Sequence, residues 1–305
     1  MTEVQHHPEN LARANGMDLC WDSFGDPAAP PLLLIMGLGS QMIAWHDAFC
    51  EQLVQATQLR VIRFDNRDVG RSTQLTAMGV PDIAALMGQA LAGKPLTVPY
   101  TLRDMADDAD ALLNALNIDR AHVVGASMGG AIGQELAIHH PHRMRSFTSI
   151  MSSTGDPSLP KPTTEAMSVL FTPAPVTLDA YLPHYQRVWN VLRGPDFPQD
   201  EALDAERARA VFARGLNPAG TARQLAAIFA SGNRKPALRA VRVPTLVIHG
   251  DADPLVPVAH GVDVADAVPG AHLLRIARMG HALPVAMWPQ IIEAIAQHIA
   301  SHQDN

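Results

Sequence analysis

Short apolar runs rich in Val, Ile and Leu recur along this chain, separated by longer segments whose apolar residues fall three and four apart. Runs of that length suit strands buried on both faces, and a helical stripe between two of them supplies the crossover that parallel strands need. The runs are 19–24, 32–36, 59–64, 122–125, 146–151, 245–249 and 272–276; the helical segments between or after them are 42–56, 102–116, 128–140 and 290–300. Thr101, with Asp104 three residues on, predicts a capping box at the start of the second helix. The pattern predicts an α/β fold: a mostly parallel central sheet flanked by helices.

That rhythm breaks between 152 and 236, where helical patterns at 178–192, 201–214 and 221–231 follow one another without a strand. Pro157, Pro160, Pro162, Pro173 and Pro175 crowd the front of this stretch and stiffen it. The expected organisation is a core of residues 1–151 and 237–305 with a helical cap, 152–236, set into it. Arg207, Arg209, Arg214 and Arg223 interleave with Glu201, Asp204 and Glu206, the pattern of a solvated helix face.

Composition narrows the function. The chain has 305 residues, 47% of them apolar and 17% charged, enough to bury a sizeable core. Its net charge of −7 has the wrong sign for a nucleic-acid backbone or an anionic membrane surface, so neither is expected as a partner. No apolar run approaches the roughly 18 residues of a membrane-spanning helix, and the polar N-terminus lacks the apolar stretch of a secretory signal, so a cytoplasmic location is expected. Cys20 and Cys50 are the two cysteines, too few for a disulfide framework or a metal-type spacing, and are expected to be buried free thiols. No metal or organic cofactor is implied. The oligomeric state is not readable from the sequence, with which a homodimer is compatible.

The sharpest local signal is Gly125-Ala126-Ser127-Met128-Gly129, directly after the apolar run 121–124 and directly before a helical pattern. In a nucleophile elbow of this kind the serine takes a strained backbone conformation, and the residues two before and two after it must be small so that strand and helix can cross closely. Gly125 and Gly129 meet that demand.

A serine hydroxyl needs a base to take its proton and an acid to orient that base, in the chain order Ser, Asp, His on such a fold. The run ending at His249-Gly250 is followed by a loop bearing Asp251 and Asp253, and Met279-Gly280-His281 follows the last apolar run. His281 is the expected base. His249 is the rival, but it precedes the acid loop and breaks the order. Asp253 is the expected acid, since Asp251 directly follows Gly250 and looks placed to cap the turn.

The oxyanion formed on attack needs two N–H donors. The N–H of Met128, just after the nucleophile, is one candidate; Leu38, in the glycine turn after the 32–36 run, is the other. That turn is followed by neither G-K-[ST] nor G-x-G-x-x-G, which argues against a phosphate cradle. Asp65, Arg67 and Asp68 could pass for a catalytic cluster, but a buried, ion-paired turn explains them without chemistry. Met36, Met128 and Met279 flank the three loops as core fillers or as the walls of a pliable apolar pocket.

Together, the strand-plus-Gly37 loop, Asp65-x-Arg67-x-x-Gly70-x-Ser72, Gly125-x-Ser127-x-Gly129, Gly250-x-x-Asp253 and Gly280-His281 resemble the α/β-hydrolase superfamily over nearly the whole chain. Ile35-Met-Gly37, the segment from His122 to Met128, the segment from Val243 to Ile248 and the segment from Met279 to Pro284 look like carboxylesterases similar to aclacinomycin methylesterase. The resemblance implies Ser127 as nucleophile, His281 as base and then acid, Asp253 as its orienting partner, and Leu38 and Met128 as oxyanion donors. Met36 stands where many superfamily members have histidine. The expected activity is hydrolysis of an uncharged carboxylic ester, short-chain acyl or methyl, by a small-molecule esterase. The same triad could serve a C–C bond or thioester hydrolase or a perhydrolase, and a non-catalytic ligand-binding member is the rival of another class.

Overall fold

The computed structural model describes residues 4–197 and 200–302. Eight strands form one sheet: β1 (His6–Ala14), β2 (Met17–Phe24), β3 (Pro31–Ile35), β4 (Arg60–Phe64), β5 (Ala121–Ala126), β6 (Met144–Ile150), β7 (Thr245–Gly250) and β8 (His272–Ile276), in the order β1-β2-β4-β3-β5-β6-β7-β8. The pairs β1–β2 and β2–β4 are antiparallel and all others are parallel.

Seven of these strands coincide with the apolar runs. The eighth, β1, escapes them because it is an edge strand with most residues exposed or half-buried, so no apolar run marks it. A local signal was present in Asn15-Gly16, whose φ values of 47° and 75° make the tight hairpin between β1 and β2.

The helices are α1 (Asp47–Thr57), α2 (Ile83–Leu91), α3 (Leu102–Ala115), α4 (Met128–His139), α5 (Thr164–Phe171), α6 (Leu178–Leu192), α7 (Glu201–Arg214), α8 (Pro218–Ser231), the short α9 (Lys235–Leu238), α10 (Ala259–Ala267) and α11 (Trp288–Ala300). The capping box on α3 is present: Thr101 Oγ1 accepts the Asp104 N–H, and Asp104 accepts the Thr101 N–H. The expected helix at 42–56 is divided. Residues 42–44 form a single 3₁₀ turn, and α1 starts only after His46, whose ring caps the Ala48 N–H. Among the described residues no helix is long and apolar enough to cross a membrane.

The period of two along each strand sorts the core into two layers. Leu33, Ile35, Ile62 and Val123 pack with Met105, Ala109, Leu112 and Leu113 of α3 and with Ile132 and Leu136 of α4. Leu32, Leu34, Val61, Val124 and Ile248 face the other way, onto Phe49, Cys50 and Leu53 of α1 and Trp288, Ile291 and Ile295 of α11. Each fully buried Leu or Ile contributes roughly 1.5–3 kcal/mol. Met128 lies in the first layer, Met36 and Met279 in the second, all under 10% exposed, so the methionines act as core fillers. Cys20 and Cys50 are buried free thiols.

From β3 the chain crosses to β4 on one side and then to β5 on the other. The carboxyl ends of β3 and β5 therefore flank a topological switch point, where loops diverge and leave a crevice. The Gly37 turn and Ser127 both lie there.

Helices α5–α9 form an insertion between β6 and β7. Two of its arginines overturn the reading of a solvated face. Arg223 of α8 is 1% exposed and paired with Asp68 at 2.6 Å; Arg214, ending α7, pairs with buried Asp65 at 2.5 Å. Arg67 forms a bidentate pair with Asp108 of α3. The Asp65–Asp68 turn is thus a buried ion-paired anchor that ties the insertion to the sheet. Asp204 is also buried, paired with Arg193.

Candidate active site

Ser127 joins β5 to α4 with φ 55° and ψ −119°, a left-handed region that L residues rarely occupy and that costs on the order of 1–3 kcal/mol. The turn is tight because both flanking glycines are crossed by backbone. A Cβ on Gly125 would lie 2.2 Å from the Gly129 carbonyl oxygen, and one on Gly129 would lie 2.1 Å from the Ile35 carbonyl oxygen. No side chain fits at either place, and the contact between Gly129 and Ile35 draws α4 against the end of β3. The Ser127 carbonyl accepts the N–H groups of Gly130 and Ala131, while its own N–H donates to Ile150 of the neighbouring strand.

His281 follows β8 on a short loop. Its Nδ1 is 2.7 Å from Asp253 Oδ2 and its Nε2 is 2.9 Å from Ser127 Oγ. An ionised carboxylate can only accept, so Nδ1 carries the proton and Nε2 is free to accept from the Ser127 hydroxyl. Asp253 and His281 are each 6% exposed. Asp253 Oδ1 accepts the N–H groups of Leu255 and Val256 at 2.9 and 2.7 Å. Burial alone raises the Asp253 carboxyl, but the charge of His281 and hydrogen bonds from His249, His281 and the Val256 N–H outweigh it and hold the group well below the ordinary carboxylate range. The other aspartate, Asp251, accepts the Arg278 N–H and braces the loop that carries His281.

The Gly37 turn passes directly beside the serine, with the position of a Gly37 Cβ 3.1 Å from Ser127 Cβ. Leu38 follows it. Met128 is the first residue of α4, where a helix leaves its N–H without an intrahelical acceptor. Met128 directly follows Ser127, and Leu38 directly follows the glycine that lies against it. The turn is held by contacts that no local pattern announced: Asn66 Nδ2 donates to the Met36 carbonyl at 2.9 Å, and Gln224 of α8 accepts the Gly39 N–H at 2.8 Å. Met36, in place of histidine, is therefore braced through its backbone.

The insertion also reaches the histidine loop. Gly280 and His281 donate their N–H groups to the carbonyls of Arg193 and Leu192, at the end of α6. Nothing in the sequence pairs these segments, because backbone bonds between a helix end and a distant loop leave no residue signature beyond Gly194 and Gly280, each of which lies against the other's backbone.

The arrangement is a hydroxyl hydrogen-bonded to an imidazole, which is hydrogen-bonded in turn to a buried carboxylate, beside a helix N-terminus on a doubly wound sheet. This chain belongs to the alpha/beta hydrolase fold family, whose model matches residues 30–285. It is 32% identical to rhodomycin D methylesterase DauP of Streptomyces sp. strain C5, over 95% of this chain and 98% of that protein. It is 28% identical to 2-hydroxymuconate semialdehyde hydrolase of Pseudomonas sp. strain CF600, over 87% of this chain and 82% of that protein. Among solved structures, 2-hydroxy-6-oxo-6-phenylhexa-2,4-dienoate hydrolase from Rhodococcus sp. strain RHA1 superposes with a TM-score of 0.73 at 19% identity, covering 98% of this chain and 100% of that one. The sequence relatives thus include proteins named as a methylesterase and as a semialdehyde hydrolase.

Proposed function

We propose that this hydrolase cleaves carboxylic esters of small molecules, methyl esters or short-chain acyl esters, through an acyl-enzyme on Ser127. The observation that carries the reading is the unbroken chain Ser127 Oγ, His281 Nε2, His281 Nδ1, Asp253 Oδ2, with links of 2.9 and 2.7 Å at a strained elbow. The methylesterase relative supports the ester.

His281 takes the Ser127 proton as Oγ attacks the ester carbonyl. The tetrahedral oxyanion accepts from the N–H groups of Leu38 and Met128, each contribution being on the order of 10² to 10³ in rate. The alkoxide leaves with the proton from His281, which then deprotonates the water that cleaves the acyl-enzyme. Asp253 remains ionised throughout and stabilises the imidazolium.

The 28% identity to a 2-hydroxymuconate semialdehyde hydrolase leaves carbon–carbon cleavage as the second reading, since the same residues can serve it. A panel of methyl esters, p-nitrophenyl acyl esters, vinylogous diketones and acyl thioesters separates the two. Turnover of esters with little on diketones supports the proposal, and the reverse order overturns it in favour of C–C cleavage.

A further inference from the structure

His249 is the histidine that the triad leaves unused. It sits at the end of β7 and its side chain is fully buried. Its Nε2 lies 2.7 Å from the Val256 carbonyl oxygen, which can only accept, so Nε2 carries the ring proton. Nδ1 is then a bare acceptor, buried and without a hydrogen-bond partner among the described residues. The position of a Gly261 Cβ, on α10, is 2.4 Å from that Nδ1, so only glycine there leaves room for the ring.

The other side of the ring faces the acid. Nε2 is also 3.5 Å from Asp253 Oδ2, the oxygen that binds His281. Val256, whose carbonyl His249 holds, donates its own N–H to Asp253 Oδ1. The three residues close a ring around the carboxylate. The titratable groups surrounding His249 are Asp253 on this loop, His260 beside Gly261 on α10, and His281 across the carboxylate.

An apolar side chain of similar volume would avoid the stranded Nδ1, whose burial costs on the order of 1–3 kcal/mol, but would leave the Val256 carbonyl without the Nε2 donor. We infer that His249 is a positioning residue for Asp253: it fixes the Val256 carbonyl, shares its Nε2 proton with Oδ2, and so aims the carboxylate at His281 Nδ1. The inference rests on the reading of Ser127, His281 and Asp253 as a catalytic triad.

The test compares His249→Leu, His249→Gln and Gly261→Ala with wild type. Glutamine can place an amide N–H near the Nε2 position; leucine cannot, and the Gly261→Ala methyl pushes the ring away from α10. For His249→Leu the expected result is a kcat on p-nitrophenyl acetate lower by about tenfold with KM little changed, the size of one lost buried hydrogen bond. His249→Gln recovers most of the loss, and Gly261→Ala behaves as a milder His249→Leu. In parallel, proton NMR follows the downfield resonance of the His281–Asp253 hydrogen bond, which needs no substrate: it moves or disappears in His249→Leu and persists in His249→Gln. An unchanged kcat and an unchanged resonance in His249→Leu overturn the inference, as does equal damage in the Leu and Gln variants. Absence of ester turnover in wild type counts against the esterase reading, and the resonance then decides the role of His249 alone.

Discussion

The backbone N–H of His281 donates to the carbonyl of Leu192, 2.6 Å away at the last turn of α6. The proposed base is therefore held from two directions, by Asp253 through its ring and by the insertion through its backbone. Gly194 makes this approach feasible: at φ 97°, a Cβ there would lie 2.5 Å from the Arg278 carbonyl oxygen and 2.6 Å from the Gly280 nitrogen. Gly194→Ala forces the end of α6 away from the histidine loop. Misplacing a reacting group by about 1 Å costs on the order of 10²-fold in rate. The expected outcome is a kcat lower by about that factor with a small change in KM, measured on p-nitrophenyl acetate, while circular dichroism shows the fold retained.

Gly129→Ala tests the elbow itself. The new methyl meets the backbone of Ile35 rather than a side chain that could rotate away, so β3 or α4 must shift. Overpacking of this kind costs about 1–3 kcal/mol or more. Urea unfolding should show a loss of at least that size, and ester turnover should fall even in the folded fraction because the Gly37 turn moves with Ile35.

The anchor between the insertion and the sheet carries a larger cost. Arg223 and Asp68 are 1% and 0% exposed at the side chain, and Asp68 also accepts from the Tyr100 hydroxyl and the Leu75 N–H. Removing one partner of a buried ion pair strands the other charge, at about 3–5 kcal/mol. Arg223→Met should lower stability by that amount in urea unfolding. Arg209→Met, on the exposed side of α7, should stay within about 0.5 kcal/mol of wild type.

Asp253 supplies a pH signature. Its folded carboxyl lies well below the ordinary range, so its contribution to stability is complete above the unfolded value of about 3.9 and is lost as pH falls through the folded value. The stability gap between wild type and Asp253→Asn should be flat from pH 6 to 8 and narrow below about pH 4, as read from urea unfolding at each pH.

The same substitution separates the two aspartates in activity. Asp253→Asn should lower kcat by about 10⁴-fold, because an amide can set the wrong tautomer on His281. Asp251, whose carboxylate accepts the backbone N–H of Arg278 away from the His281 ring, should tolerate Asn within a few-fold. Steady-state assays of the two variants side by side check the order.

Much of this was legible in the residues because strand, elbow and loop signals are local. The Gly-x-Ser-x-Gly turn, the acid loop after β7 and the histidine after β8 are each announced by their immediate neighbours. The ion pairs of the insertion were not: Arg214 and Arg223 look solvated beside Glu206 and Asp204, and their partners Asp65 and Asp68 lie 149 and 155 residues earlier. The bounds of helix α10 were not legible for a related reason. Gly261 weakens its helical pattern, and the need for that glycine comes from the imidazole of His249 on another element. Local propensity gave way in both places to contacts made across the fold.

The most direct test of the central claim is pre-steady-state hydrolysis of p-nitrophenyl acetate by wild type and Ser127→Ala. Wild type should give a burst of p-nitrophenol approaching one equivalent per active site, followed by slower steady turnover, and the variant should give neither phase. A burst or steady turnover that survives in Ser127→Ala would contradict Ser127 as the nucleophile.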